Sequence, residues 1–319
     1  MAITLVEAAK LSQNTLQKGV IETFIQASPI LDRIPFLEIE GNAYAYNSEG
    51  ALPGVEFRAV NGSYTESTGT VVQKSETLSI LGGDADVDRF IVKTRGNLND
   101  QRAVQTAMKV KAASYKFQDT FFNGDVAVDV NSYDGLKKRL IGNQVLTAGP
   151  NGIPVLGNGT TDTHAFFDQL DALVGAVPGL DGSNGAIYTN ASLLAKIKSA
   201  GRRIGGFEMV KEDTTGKRVL MWNGIPFLDA GTTAAGALIL PQTETVGTAV
   251  GTAASIYAVK FGNDEGDQAV TGLTNGGVQV EDLGQLQEKP AFRTRIEFYT
   301  GVATFGGKAA ARLQGVLNS

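Results

Sequence analysis

His164 is the only histidine of the chain, and Asp162 and Asp168 stand close enough along a helix to orient it as a base. No nucleophile signature accompanies it, and a polar place in the first turn of a helix explains it adequately. Residues 301–308, GVATFGGK, have the look of a phosphate loop, but Val302 replaces the first glycine and Ala309 the hydroxyl that would hold magnesium. Asp84, Asp86 and Asp88 alternate like the opening of a calcium loop. Arg89 and Arg95 then occupy its sixth and twelfth positions, where a glycine and a bidentate glutamate are needed. These aspartates are expected to face solvent. GLDGSNG, residues 179–185, lies between a helix and a strand, the reverse of the order in a dinucleotide fingerprint, and reads as a connecting loop. Tyr44, Tyr46 and Tyr64 with Phe57 have the faces to stack nucleic-acid bases. With little positive charge nearby, packing across a subunit contact is the expected use. No catalytic, cofactor-binding or metal-binding residue is assigned, and the chain reads as non-enzymatic.

Composition narrows the field further. The 319 residues include no cysteine, which removes thiolate metal sites, disulfides and cysteine nucleophiles. A formal charge of −5 argues against a nucleic-acid reader, because such proteins release counterions with a basic patch. The basic clusters Lys137 to Arg139, Arg202-Arg203 and Lys217-Arg218 are short and read as solvated surface. No apolar run approaches the length of a membrane span, and residues 1–17 lack the pattern of a signal peptide.

The elements that must position these residues follow from hydrophobic spacing. Residues 99–124 read as one long helix, with Asn99 as its cap, Asp100 in the first turn and Asn123-Gly124 as a left-handed stop. Ala103, Ala107, Val110, Ser114, Phe117 and Phe121 form one stripe; Val104, Met108, Tyr115 and Phe122 form a second. Both are expected to be covered. Before the helix, residues 1–37 carry helical pieces with Leu16, Val20, Phe24 and Ile25 on one face, then an extended path set by Pro29 and Pro35. Residues 41–83 alternate as a long two-stranded ribbon with too few apolar residues to form its own core. Residues 85–92 return as a strand. After the long helix, residues 131–140 begin a short turn or helix. Helices are expected over 163–177 and from an Asn190 cap to Gly201; strands over 185–189, 219–228, 237–240 and 255–261, with Trp222 before an Asn223-Gly224 hairpin turn. In the last segment Phe292, Thr294, Ile296 and Phe298 alternate with Arg293, Arg295, Glu297 and Tyr299, a sheet suited to cover the long helix.

This order of pieces resembles the major capsid proteins of tailed bacteriophages, with the Hong Kong 97-like shell fold. The likeness rests on YNSEGALPGVEFRAVN, on FFNGDVAVDVNSYDGL, on AIYTNASLLAKIKSAG followed by VLMWNGIPFLDAG, and on FYTGVATFGGKAAARLQGV. The resemblance implies an α+β chain in four parts. These are an N-terminal arm over 1–40, an extended β-hairpin loop over 41–84, a peripheral domain with the spine helix over 85–141 and 286–319, and an inserted α/β axial domain over 142–285. Some members of the family join a loop lysine to an asparagine of another subunit; Lys74 is the only ribbon lysine here, no motif marks its partner, and that chemistry is not carried over. Met1 lies too close to the arm for a cleavable scaffolding segment, so a separate scaffold or prior processing is expected.

The resemblance further implies a subunit that self-assembles, as pentamers and hexamers, into an icosahedral head confining double-stranded DNA without sequence-specific binding. A scaffold protein, a portal and a decoration protein are the implied partners; no membrane is involved. The place is the virion, built in the bacterial host cytoplasm. Two other readings stand beside it: an encapsulin-like compartment shell, and a small-molecule-binding or hydrolytic α/β protein built from 142–285.

Overall fold

The computed structural model describes residues 28–95, 101–157, 160–204, 208–211 and 218–319. The helical pieces expected before residue 28, the Asn99 cap and Asp100 lie outside them. In chain order, strand β1 (Phe36–Glu38) precedes the ribbon strands β2 (Ala43–Ala51) and β3 (Thr70–Thr77), followed by β4 (Ser79–Asp88) and helices α1 (Arg89–Arg95), α2 (Gln101–Asn123) and α3 (Leu136–Arg139). Next come β5 (Val145–Thr147), β6 (Ile153–Pro154), α4 (Thr160–Gly175), β7 (Gly185–Thr189), α5 (Ala191–Ile204), β8 (Glu208–Lys211), β9 (Arg218–Trp222) and β10 (Ile225–Asp229). The chain closes with β11 (Glu244–Val246), β12 (Ala249–Lys260), β13 (Val270–Gln285), β14 (Ala291–Thr304) and β15 (Ala310–Leu317). One four-stranded sheet runs β1-β13-β14-β4, a nine-stranded sheet is centred on β15-β12-β7-β10, and β2-β3 stands as a separate pair.

At about 1.5 Å per residue α2 is about 34 Å long, and it joins the two larger sheets. On one side Phe117 packs among Phe36, Phe298 and Tyr133 at centroid distances of 6.1, 6.2 and 6.3 Å. On the other, Phe122 meets Tyr257 at 5.2 Å and Tyr188 at 5.7 Å. Full burial of each ring contributes about 1.5–3 kcal/mol. The expected two-faced cover therefore holds in the C-terminal half of the helix. It fails in the N-terminal half, where Ala103, Val104, Ala107 and Met108 are exposed and Thr106 takes the buried position one turn before Val110. The helix end also differs from expectation. Neither Asn123 nor Gly124 has positive φ. Gly124 is required because a Cβ there would lie 2.3 Å from the Tyr133 carbonyl, where the returning chain donates Gly135 N–H to Gly124 O at 2.9 Å.

The central strands of the nine-stranded sheet are covered on both faces, so alternate residues enter different cores. Ile187, Ile256 and Ala258 pack with Phe166, Leu170, Leu193 and Ile197 of α4 and α5, while Tyr188, Tyr257 and Val259 join the core around α2. Asn190 caps α5 by accepting from Leu193 N–H at 2.8 Å. The helix runs through the buried Gly201 to Ile204 instead of stopping there. Asn223 (φ 49°) and Gly224 (φ 78°) form the two-residue turn expected between β9 and β10. Three further readings are corrected. Residues 89–95 are helix, because Asp88 Oδ1 accepts Phe90 N–H at 2.7 Å and starts a new turn there. Residues 237–240 make only an isolated bridge between Thr232 and Leu238. Strand β15, expected beside the long helix's sheet, pairs with β12 in the nine-stranded sheet, and β13, expected in the inserted unit, pairs with β14 in the four-stranded one. The chain leaves the nine-stranded sheet in the link after β12, where Gln268 has φ 47°, and returns to it in the turn after Thr304, where Gly306 has φ 78°.

Candidate assembly surface

The ribbon is built at its base and unsupported at its tip. Strands β2 and β3 pair antiparallel from Ala43 opposite Thr77 to Ala51 opposite Thr70. Tyr46, 5% exposed, packs edge-on against Phe305 at 4.9 Å and donates its hydroxyl to Thr304 O at 3.2 Å. Tyr44 donates to Glu265 Oε1 at 2.5 Å. Glu76 and Arg139 form a two-armed ion pair, with Nη2 to Oε2 at 2.7 Å, joining β3 to α3. Burial and the nearby Glu76 carboxylate push the Tyr46 hydroxyl up to about 12; the bond to Glu265, more than burial, pushes Tyr44 up to about 12. Both tyrosines thus pack within their own subunit, not across a contact as their sequence suggested. Alternation puts an aromatic on one face of the strand, and Phe305 happens to lie under that face. Arg139, read as solvated surface from its cluster, is instead a partner of the ribbon.

Beyond Ala51 no strand continues, and residues 52–69 are exposed throughout. Val55 is 94% and Phe57 107% exposed, with Leu52 and Val60 close behind. The tip keeps its shape through local bonds. Ser67 Oγ accepts from Gly54 N–H, Glu56 Oε1 accepts from Thr65 N–H at 2.5 Å, Gly62 N–H closes a turn onto Ala59 O at 3.0 Å, and the Arg58 guanidinium lies 5.3 Å over the Tyr64 ring. Lys74 is exposed on β3. A second apolar region lies beside the ribbon base, where Ile80, Val126 and Val130 line a cleft of ≈ 580 Å³ and Val128 stands exposed nearby. Several large apolar side chains exposed in one region mark a surface that becomes covered.

The other candidates resolve into structure. Asp84 and Asp86 of β4 do not simply face solvent. Arg293 holds Asp86 through two bonds of 2.7 and 2.8 Å, with Lys289 alongside, and Arg295 holds Asp84 at 2.8 and 3.1 Å. These partners keep both carboxyls below their ordinary range: Arg293 then Lys289 for Asp86, Arg295 for Asp84. Asp88 is the helix start already described. His164 and Asp168 are exposed on α4, and among the described residues no group of acidic or histidine side chains could hold a metal ion. Residues 301–308 are the end of β14 and its turn. Asp181 ties the 179–185 loop by accepting from Ser183 and Asn184 N–H groups at 2.8 and 3.0 Å. Trp222 stacks on Phe167 at 4.9 Å and donates to Asp171 at 2.8 Å, a packed hairpin end. Among the described residues no helix is long and apolar enough to cross a membrane.

A separate ribbon and a long helix that joins two sheets make up the Hong Kong 97-like fold. Residues 12–167, just under half of the chain, match the family model for major capsid protein GP7. The fold is shared with the SrpI encapsulin complex of Synechococcus elongatus PCC 7942, at TM-score 0.66 and 16% identity over 100% of this chain and 98% of that one. It is shared also with the capsid of an empty GTA particle, at 0.65 and 14% over 91% and 90%, and with Mycobacterium phage Bobi, at 0.56 and 14% over 91% and 89%. No curated protein matches the chain. The resemblance to the major capsid proteins of tailed bacteriophages holds in the fold and in the family match.

Proposed function

We propose that the chain is the major capsid protein of a tailed double-stranded DNA bacteriophage, a non-enzymatic subunit that closes with copies of itself into an icosahedral head. The observation that carries this reading is the ribbon. Its base is fixed to the subunit by Tyr46, Phe305, Glu76 and Arg139, while among the described residues nothing buries Leu52, Val55, Phe57 and Val60. Covering each such side chain is worth about 1.5–3 kcal/mol, and only association supplies the cover. In this reading 41–84 is the loop that reaches a neighbour, and α2 with the four-stranded sheet is the peripheral unit. The nine-stranded sheet with α4 and α5 is the axial unit, and β15 belongs to it. A portal is the partner of this reading, with a scaffold and a decoration protein where the head uses them, and a net charge of −5 suits a wall that confines DNA without gripping it. Head assembly in the host cytoplasm belongs to the same proposal.

The encapsulin-like reading is favoured by one observation, the end-to-end similarity to the SrpI encapsulin. Sedimentation of the protein expressed alone and with its neighbouring genes separates the readings. A head protein gives particles that fill with DNA when a portal and terminase are present; a compartment gives particles that retain a protein cargo. Absence of any particle in either condition contradicts both.

A further inference from the structure

The shell reading leaves unused a cleft where the ribbon base, the turn after β14 and the end of β12 converge. It encloses ≈ 640 Å³, and its polar lining is Asn47, Asn143, Gln144, Lys260, Gln268 and Lys308. Two lysines and four amide side chains thus line the space and, among the described residues, no carboxylate does, although Lys260 also stands near Asp181, in a chain with five more acidic than basic residues. Gly306 and Gly307 complete the wall with bare backbone. Gly306 has φ 78° and faces Gln268, whose own φ of 47° is uncommon for a residue with a side chain. Such backbone is held by surrounding structure and recurs at binding sites.

Gln144 is 8% exposed and lines both this cleft and the adjoining one of ≈ 510 Å³, which Lys74, Glu76 and Arg139 also line. Lys260 is fixed at the wall by donating to Asp267 O at 2.8 Å, and Lys308 is exposed at the rim.

We propose that this cleft is a binding site for phosphate oxyanions. Lysine ammonium groups supply the charge, and amide and backbone N–H groups supply the directional bonds. A single carboxylate from a neighbouring chain would fill little of the volume. A cleft of this size suits a ligand with several phosphates or a short run of nucleic-acid backbone. The site stands independently of whether the chain builds a shell.

Calorimetric titration of the full chain with tripolyphosphate, and fluorescence anisotropy with a short DNA duplex, test the assignment. Saturable binding of tripolyphosphate is expected, weakened about tenfold or more in Lys308→Glu, as loss of a charge-assisted bond requires. Lys308→Arg retains it, and Lys111→Glu, the same charge change on the exposed part of α2, leaves it unaltered. Duplex binding with the same dependence on Lys308 identifies the phosphates as those of nucleic acid; tripolyphosphate binding alone identifies a free polyphosphate. No saturable binding, equal loss in Lys308→Glu and Lys111→Glu, or preference for an acidic peptide over tripolyphosphate overturns the proposal.

Discussion

At the scale of single residues, the ribbon's direction is set by a few polar contacts at its root. Glu76→Gln removes the charge from a half-buried, two-armed pair and leaves the Arg139 guanidinium without its counter-ion. A loss of about 2 kcal/mol in the unassembled subunit is expected, readable by urea denaturation. An unchanged midpoint would mean that Tyr46 and Phe305 fix the base alone. The Asp84 and Asp86 pairs give a pH dependence with a definite sign. Both carboxyls are held below the ordinary value of 3.8, so their contribution is present above that value and disappears as pH falls through it toward their lower folded values. Asp84→Asn with Asp86→Asn should flatten this part of the acid limb of a stability-versus-pH curve while leaving its shape above neutrality intact. These two groups are exposed enough that the effect is a change of slope and not a collapse. The sequence announced the alternating aspartates but not their partners, since a register between strands more than 200 residues apart leaves no local trace.

At the scale of elements, α2 tests how far hydrophobic spacing can be trusted. Phe117→Asp places an unpaired charge among four aromatic rings and should prevent folding, at a cost of several kcal/mol. Met108→Asp, on the same helix but exposed, should leave the circular dichroism spectrum and melting temperature nearly unchanged. Equal damage from both would mean that the N-terminal half is packed after all. The helix, the ribbon, the β9-β10 turn and the Asn190 cap were legible because each is encoded locally, by period, by Asn-Gly or by a side-chain cap. The exposed half of α2 was not, because alanine and valine at heptad spacing look the same whether or not a sheet extends beneath them. Thr106 falls in neither stripe. The exchange of β13 and β15 between sheets was hidden for a related reason. Alternation tells which face of a strand is buried, not which neighbour it pairs with, and the exchange takes place in the two links, after β12 and after Thr304. At the candidate surface the exposed tip was readable from its composition, while Arg139 was lost within a run of three basic residues.

At the scale of the whole molecule, well-filled cores stand against an apolar ribbon tip extended into solvent. Joining Ala51 directly to Thr70 through an Asn-Gly turn, so that residues 52–69 are lost, keeps Tyr46, Glu76 and the strand pairing in place. The shortened chain should fold with the helix content and stability of the intact one, because nothing in its own cores touches the missing tip. Electron micrographs of the intact and shortened proteins, each purified alone and with a scaffold, test the central claim most directly. The account predicts closed particles of uniform diameter from the intact chain and only folded, unassembled subunits from the shortened one. Closed particles from the shortened chain, or a monodisperse monomer from the intact chain in every condition, would contradict it.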